Sequence, residues 1–326
     1  MGGPTTFFTV SDAAFFPATV ALINSVRLMG STDEVCVADA GLRSDQIERL
    51  RTHARVVQVG SAVPRNPQLL KPFASRLQPA GTVIVIDSDM ILTGPVDDVV
   101  AMTEQGRICA YADPERDRWF LEWERLFDLP GPPRRQPYVS TNFVAFSTSS
   151  WPHLLEAWWE ACGRVPPERT LLGGAANEDP LAQSDQDALN AVLMSRVPPE
   201  ALTILPPDER PVPLRGRARV RDPRRLRVAV GDRPVRLLHR GGRWKPWEAR
   251  SWWHARLDAY TRLFPRVTTG PDVALRLSPR ELPMWMRSGS AGRMAMGGLD
   301  VLNTFTWTGV RAIRAAASRV RAARAR

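Results

Sequence analysis

Short apolar runs rich in β-branched and aromatic residues alternate with helix-period patterns through the first half of the chain. The runs at 6–10, 34–38, 55–59 and 82–86 predict strands, and the stretches at 15–28, 44–52 and 68–77 predict helices between them. That alternation is the signature of βαβ units and a mostly parallel sheet covered on both faces. Further strands are expected at 107–111, 139–146 and 235–239, with helices at 151–162, from Ser184 onward and at 247–263. Residues 197–225 are dense in Pro and Arg, and read as long connections around a small strand at 202–205. The fold class is therefore α/β: one domain over 1–265, flanking helices included, then a C-terminal basic helical extension over 266–326.

Composition narrows this picture in two ways. An apolar fraction of 44% and a charged fraction of 24% in 326 residues allow a sizeable core. The formal charge of +10 is concentrated at the end, where Arg311, Arg314, Arg319, Arg321, Arg324 and Arg326 follow Asp300 with no further acid. Cys36, Cys109 and Cys162 lack metal-ligand spacing and point to buried thiols in a reduced, cytoplasmic protein. Residues 1–6 carry no secretory pattern, and no apolar stretch is long enough to span a bilayer.

Three fragments carry the chemistry. The run Thr82-Val83-Ile84-Val85-Ile86 ends in Asp87-Ser88-Asp89. Side chains on extended backbone repeat every second residue, so Asp87 and Asp89 point the same way, with Ser88 turned aside. Two such carboxylates repel unless a cation lies between them, and with one they form half of a hard-metal site. His239 follows another strand; two carboxylates and an imidazole suit manganese or magnesium. Gly241-Gly242 then lets backbone approach a ligand, and Lys245, set by Pro246 and Trp247, is placed to neutralise phosphate. The third fragment, Asp185-Gln186-Asp187, opens a helix, with Ser184 as its cap. Each motif alone has a plainer reading, as an acidic turn, a hydrogen-bonded histidine or a helix N-terminal acid. Their order along one chain argues for a metal, a diphosphate and a sugar.

Together, Asp87-x-Asp89, Asp185-Gln186-Asp187 and His239-x-x-Gly242-x-x-Lys245-Pro246-Trp247 resemble glycosyltransferase family eight, the family of glycogenin and bacterial lipopolysaccharide galactosyl- and glucosyltransferases. The likeness runs from about residue 6 to 264. It implies a GT-A (Rossmann-like) fold, a UDP-sugar donor, Mn2+ or Mg2+, and retention of anomeric configuration. Matched residue by residue, Asp87, Asp89 and His239 are metal ligands. Ser11, Asp12 and Phe15 lie at the nucleoside, with the aromatic ring against uracil. Lys71, Ser88, Ser140, Thr141 and Asp185 line the donor, and Gly242 and Lys245 meet the diphosphate. Gln186 lies beside the anomeric carbon, Asp187 is its carboxylate neighbour, and Lys245 also stabilises the leaving group. Front-face attack is the expected route, with Asp187 as covalent nucleophile the alternative. Two departures stand out: Ala14 replaces an Asn, and Tyr138-Val139-Ser140-Thr141-Asn142 replaces Tyr-Phe-Asn-(Ala/Ser)-Gly on the strand that lines the sugar.

The acceptor is a glycan, a lipid-linked molecule or a small natural product, with Glu178 and Asp179 as candidate contacts. In the tail, Leu302, Phe305, Gly309, Ile313, Ala316 and Val320 recur at helical spacing opposite the arginines. This basic amphipathic pattern suits peripheral contact with anionic lipid on the inner face of the plasma membrane, with Met284, Trp285, Met286 and Trp307 as interfacial anchors; the alternative is a helix packed on its own domain with a solvated arginine face. Competing readings are a catalytically degenerate binding module and a nucleic-acid-associated protein. The second is disfavoured because the basic residues lack a recognition motif and Asp-x-Asp repels phosphate without metal.

Overall fold

A computed structural model describes residues 3–60, 66–114, 117–168, 178–210, 218–242, 245–249 and 258–287. Seven strands form the main sheet: β1 (Thr5–Ser11), β2 (Glu34–Asp39), β3 (Arg55–Gln58), β4 (Thr82–Ile86), β6 (Ile108–Ala112), β7 (Val139–Ser147) and β8 (Leu202–Leu205). Their order is β3-β2-β1-β4-β7-β6-β8. Neighbours are parallel except around β7, which runs antiparallel to both β4 and β6.

The apolar runs are continuous because both faces of the sheet are buried. Phe7, Val35, Val37, Ile84 and Ile86 point into one core with α1 (Phe16–Leu28) and α7 (Ala259–Thr269). Phe8, Cys36, Ala38, Val83 and Val85 point into the other, with α5 (Leu154–Cys162) and α6 (Asp185–Arg196). The period-2 alternation divides each strand between the two cores. Asn24 on α1 donates to the carbonyls of Val267 and Leu275 at 2.7 and 2.6 Å, tying the first helix to the last. Each such bond contributes about 1 kcal/mol net. Helices α2 (Ser44–Arg51), α3 (Asp97–Glu104) and α4 (Trp123–Leu126) fill the connections.

Several elements differ from the sequence pattern. Residues 71–77 form a 3-10 helix with Pro72 in its first turn. Of the helix expected over 247–263, residues 247–249 are not helical and 250–257 lie outside the described residues; α7 begins at Ala259, where the Asp258 side chain accepts from the Thr261 amide, and runs on to Thr269. The Pro/Arg-rich region contains β9 (Ala218–Asp222), which pairs with β10 (Arg227–Val230) and then β11 (Arg233–Pro234) as a small antiparallel sheet. A two-stranded ladder of β5 (Met90–Leu92) and β12 (Leu237–His239) completes the structure.

The expected boundary at 265 falls inside α7, and Val267, Leu275, Leu277 and Leu282 join the first core. Trp285 and Met286 join it too, and Trp285 Nε1 donates to the Ala249 carbonyl at 2.9 Å. Neither is therefore an interfacial anchor; Met284 is exposed. The amphipathic tail pattern and Trp307 lie outside the described residues. Among the described residues no helix is long and apolar enough to cross a membrane.

Candidate active site

Parallel strands deliver their C-terminal ends to one edge of the sheet, where α/β folds bind ligands. Here that edge carries Asp12 after β1 and Asp87 to Asp89 after β4. The antiparallel β7 starts at the same edge: the Asp87 amide donates to the Asn142 carbonyl at 3.0 Å, bringing Ser140, Thr141 and Asn142 beside the acids. A cleft of about 380 Å³ opens there, lined by Asp12, Phe15, Gln68, Lys71, Asp87, Ser88, Asp89, His239, Gly242 and Lys245 among others.

The β5–β12 ladder is what brings the histidine to the carboxylates. His239 pairs with Met90, and the Arg240 amide donates to the Asp89 carbonyl at 2.9 Å. His239 Nε2 consequently lies 3.5 Å from Asp87 Oδ2 and 3.3 Å from Asp89 Oδ1. One ligand atom from each of Asp87, Asp89 and His239 falls within 4.8 Å of the other two. Two hard oxygens and an imidazole nitrogen fit a divalent cation of the manganese or magnesium kind. Gly241 packs closely on this ring: a Cβ there would sit 3.1 Å from His239 Cε1, so the imidazole would have to give by a few tenths of an ångström.

Each carboxylate also has a lysine. Lys245 Nζ lies 2.5 Å from Asp89 Oδ2 and donates to the Arg240 carbonyl at 2.6 Å. Burial alone would push the Asp89 carboxyl up, but Lys245 and His239 hold it well below the usual carboxylate range. Lys71 Nζ lies 2.8 Å from Asp87 Oδ1, 3.1 Å from Asp185 Oδ2 and 3.0 Å from Thr141 Oγ1. Its burial disfavours the charge, yet Asp185 and Asp87 together raise its proton affinity above that of an ordinary lysine. Asp185 is fully buried and raised, by burial and by the neighbouring charge of Asp87, against the opposing pull of Lys71 and Thr141.

At the nucleoside end, Asp12 Oδ1 accepts from the Ala14 and Phe15 amides at 2.9 Å each, shaping the turn into α1. Trp247 pins the Lys-Pro-Trp turn to that loop: its Nε1 donates to the Ala14 carbonyl at 3.0 Å, and its ring meets Phe15 edge-on at 6.0 Å. Lys245 Nζ sits 5.0 Å from the Phe15 ring centroid. Gly242 has φ +88°, a conformation that favours glycine.

Other predicted residues are placed differently. The Ser11 hydroxyl shares a 2.6 Å hydrogen bond with Thr19 inside the core, so its side chain is turned from the cleft. Ser140 Oγ accepts from Asn142 Nδ2 at 2.6 Å. Ser184 makes no capping bond; it adopts φ +40°, and the Asp187 carboxylate accepts from the Gln183 amide at 2.7 Å instead. Asp187 is fully buried in a two-point pair with Arg118 at 2.7 and 2.8 Å, and accepts from Tyr138 at 2.8 Å. Gln186 is nearly as buried, and its Oε1 accepts from the Thr141 amide at 3.2 Å. Cys36, Cys109 and Cys162 are buried and unpaired, with burial pushing Cys36 up to about 12 and Cys109 to about 11.

Solved structures share this architecture. The chain aligns over 83% of its length with the galactosyltransferase LgtC, spanning 98% of that chain at a TM-score of 0.52 and 15% identity. It also aligns over 84% of its length with WbbM, a bifunctional glycosyltransferase, at a TM-score of 0.50 and 14% identity, spanning half of that protein. The chain has the GT-A fold. No protein-family model and no curated protein matches the sequence. The likeness is one of fold; at the ligand-binding edge of that fold, Asp87, Asp89 and His239 form a group that could hold a metal ion.

Asn142 is the neighbour that sequence reasoning missed. Its Nδ2 lies 3.4 Å from His239 Nδ1, and its Oδ1 is buried without a partner. A half-turn of this amide would put the carbonyl against Nδ1–H and leave the Nε2 lone pair toward the carboxylates. A histidine ligand is commonly oriented in this manner. The available signal was the departure at position 142, where the resembling motif has glycine.

Proposed function

We propose that this chain is a metal-dependent, retaining hexosyltransferase of the family-eight type, which moves a hexose from a UDP-sugar to an acceptor. The observation that carries the reading is the Asp87–Asp89–His239 cluster on the wall of a cleft that also presents Lys71 and Lys245. A divalent cation held by those three side chains would offset the charge of the donor diphosphate and of the departing UDP.

The protein's own residues supply the rest. Phe15 offers a ring face edge to the nucleoside, backed by Trp247. Lys245 and the amides around Gly242 are placed to accept diphosphate charge, with Lys71 at the far wall beside Asp185 and Thr141. Asp185 and Thr141 are joined by a 2.7 Å hydrogen bond and back Lys71 on that wall.

The burial of Asp187 against Arg118 and Tyr138 supports a positioning role for it. That favours front-face attack, in which the leaving phosphate takes the acceptor proton, over a covalent route through Asp187. Burial raises the Asp187 carboxyl despite Arg118, which is further from what a nucleophilic carboxylate requires. The test is incubation with a panel of UDP-hexoses and Mn2+, following the released sugar by proton NMR. Release of UDP with the donor's own anomer formed first supports the reading; the opposite anomer, or no release from any UDP-hexose, contradicts it.

A further inference from the structure

Arg210 follows the 3-10 turn Pro207–Glu209 and lies against the end of β6, with Nη2 3.4 Å from the Ala112 carbonyl. Its guanidinium stands over the Tyr111 ring at 5.1 Å, and only 7% of the residue is exposed. Two other largely buried arginines are compensated. Arg118 pairs with Asp187, and Arg236 pairs with Asp98 and Glu209. Burial disfavours the charge of both, but their carboxylates more than restore it.

Arg210 differs. Among the described residues no carboxylate lies within ion-pair distance of it, its Nε is buried without a hydrogen-bond partner, and the Tyr111 hydroxyl is equally unpartnered. Burial pulls its proton affinity down, and the nearby Tyr111, Asp113 and Asp87 do not make up the difference. A desolvated guanidinium with an unpartnered Nε–H and no counter-charge is a costly arrangement; a water could take up the hydrogen bond, but only an anion would also balance the charge.

Its position indicates which anion. Ala112 ends β6, next to the start of β7 that carries Ser140 to Asn142. The Arg236 amide donates to the Glu209 carbonyl at 2.8 Å, fixing the turn to the chain entering β12 and so to His239. Arg210 therefore sits at the ligand edge of the sheet, with β4 and β7 between it and the nucleoside end at β1. It is absent from the lining of the cleft where the donor groups converge.

We infer that Arg210 anchors an anionic group, a phosphate, sulfate or carboxylate, on the acceptor; this rests on the transferase reading above. A guanidinium presents Nε and Nη donors as a fork that matches such a group at two points. The acceptor class is accordingly an anionic sugar or a sugar phosphate.

The test uses the full chain saturated with UDP and Mn2+, so that the donor site is filled. Glucose 6-phosphate, glucuronate and methyl glucoside are then titrated by calorimetry. The two anions should bind the unaltered protein roughly tenfold or more tightly than methyl glucoside, as charge-assisted hydrogen bonds allow. Arg210→Gln should bring them down to the neutral sugar, and Arg210→Lys should restore part of the difference, with both variants keeping native melting behaviour and UDP affinity. Anions that bind no better than the neutral sugar, or that ignore Arg210→Gln, overturn the assignment. So does a loss of UDP affinity in step with theirs. Failure of the unaltered protein to bind UDP at all is read first, and overturns the transferase reading itself.

Discussion

One ammonium, Lys71 Nζ, serves two carboxylates from distant parts of the chain: Asp87 beyond β4 at 2.8 Å and Asp185 at the start of α6 at 3.1 Å. A single positive charge thus balances a buried acid at the start of α6 and an acid of the candidate metal cluster. Removing it leaves both carboxylates facing each other. Lys71→Met should destabilise the metal-free protein by about 3 kcal/mol, the usual scale for breaking a buried ion pair. Added Mn2+ should recover more stability in the variant than in the unaltered protein, which urea denaturation with and without the ion would measure.

Lys245 competes with any cation for Asp89, yet lines the cleft in which the proposed donor diphosphate would lie. Lys245→Gln should therefore bind bare Mn2+ more tightly while binding UDP in the presence of Mn2+ roughly tenfold more weakly. Calorimetric titration of each ligand checks both signs at once. Parallel changes in the two affinities would contradict the arrangement.

Acid stability follows from the Asp89 carboxyl. Its folded-state pKa is held below the unfolded value by Lys245 and His239, against the effect of burial. A group depressed in this way stabilises the fold above its unfolded pKa, and the contribution is lost as pH falls through and below the ordinary carboxylate range. Metal-free protein should lose stability more steeply between about pH 4 and pH 2 than Asp89→Asn does, as chemical denaturation across that window would report. Equal slopes would mean that Asp89 carries no such linkage.

Phe15 meets Trp247 edge-on and lies under Lys245. Phe15→Ala should weaken UDP binding by roughly tenfold, the scale of losing one aromatic stacking contact, and leave pyrophosphate binding nearly intact. A comparable loss for both ligands would place the ring elsewhere than at the base.

Much of this was legible from residue pattern. The alternation of apolar runs anticipated β1 to β4 within one or two residues, because strands buried on both faces need continuous apolar sequence. Asp87, Asp89 and His239 were recognisable because each follows such a run. What actually joins them, the three-residue pairing of β5 with β12, has no periodic signal over so short a span. The helix expected at 247–263 starts too early at Trp247, which packs on Phe15 instead, while Asp258 caps the helix that begins at Ala259. Ser184 looked like a cap by residue type alone; the Asp187 carboxylate meets the Gln183 amide instead. Arg210 gave no sequence signal, since its character arises from burial without a partner, which only the fold creates; Asn142 was visible only as a departure from the resembling motif, and its place beside His239 comes from the fold.

The central claim is that Asp87, Asp89 and His239 hold one cation that in turn holds UDP. Calorimetric titration of UDP into the unaltered protein and into His239→Ala, each with and without Mn2+, tests it directly. The account predicts that UDP binds the unaltered protein only when Mn2+ is present, and that His239→Ala abolishes the dependence on the metal together with most of the affinity. UDP binding that is equal with and without Mn2+, or that survives His239→Ala unchanged, would contradict it.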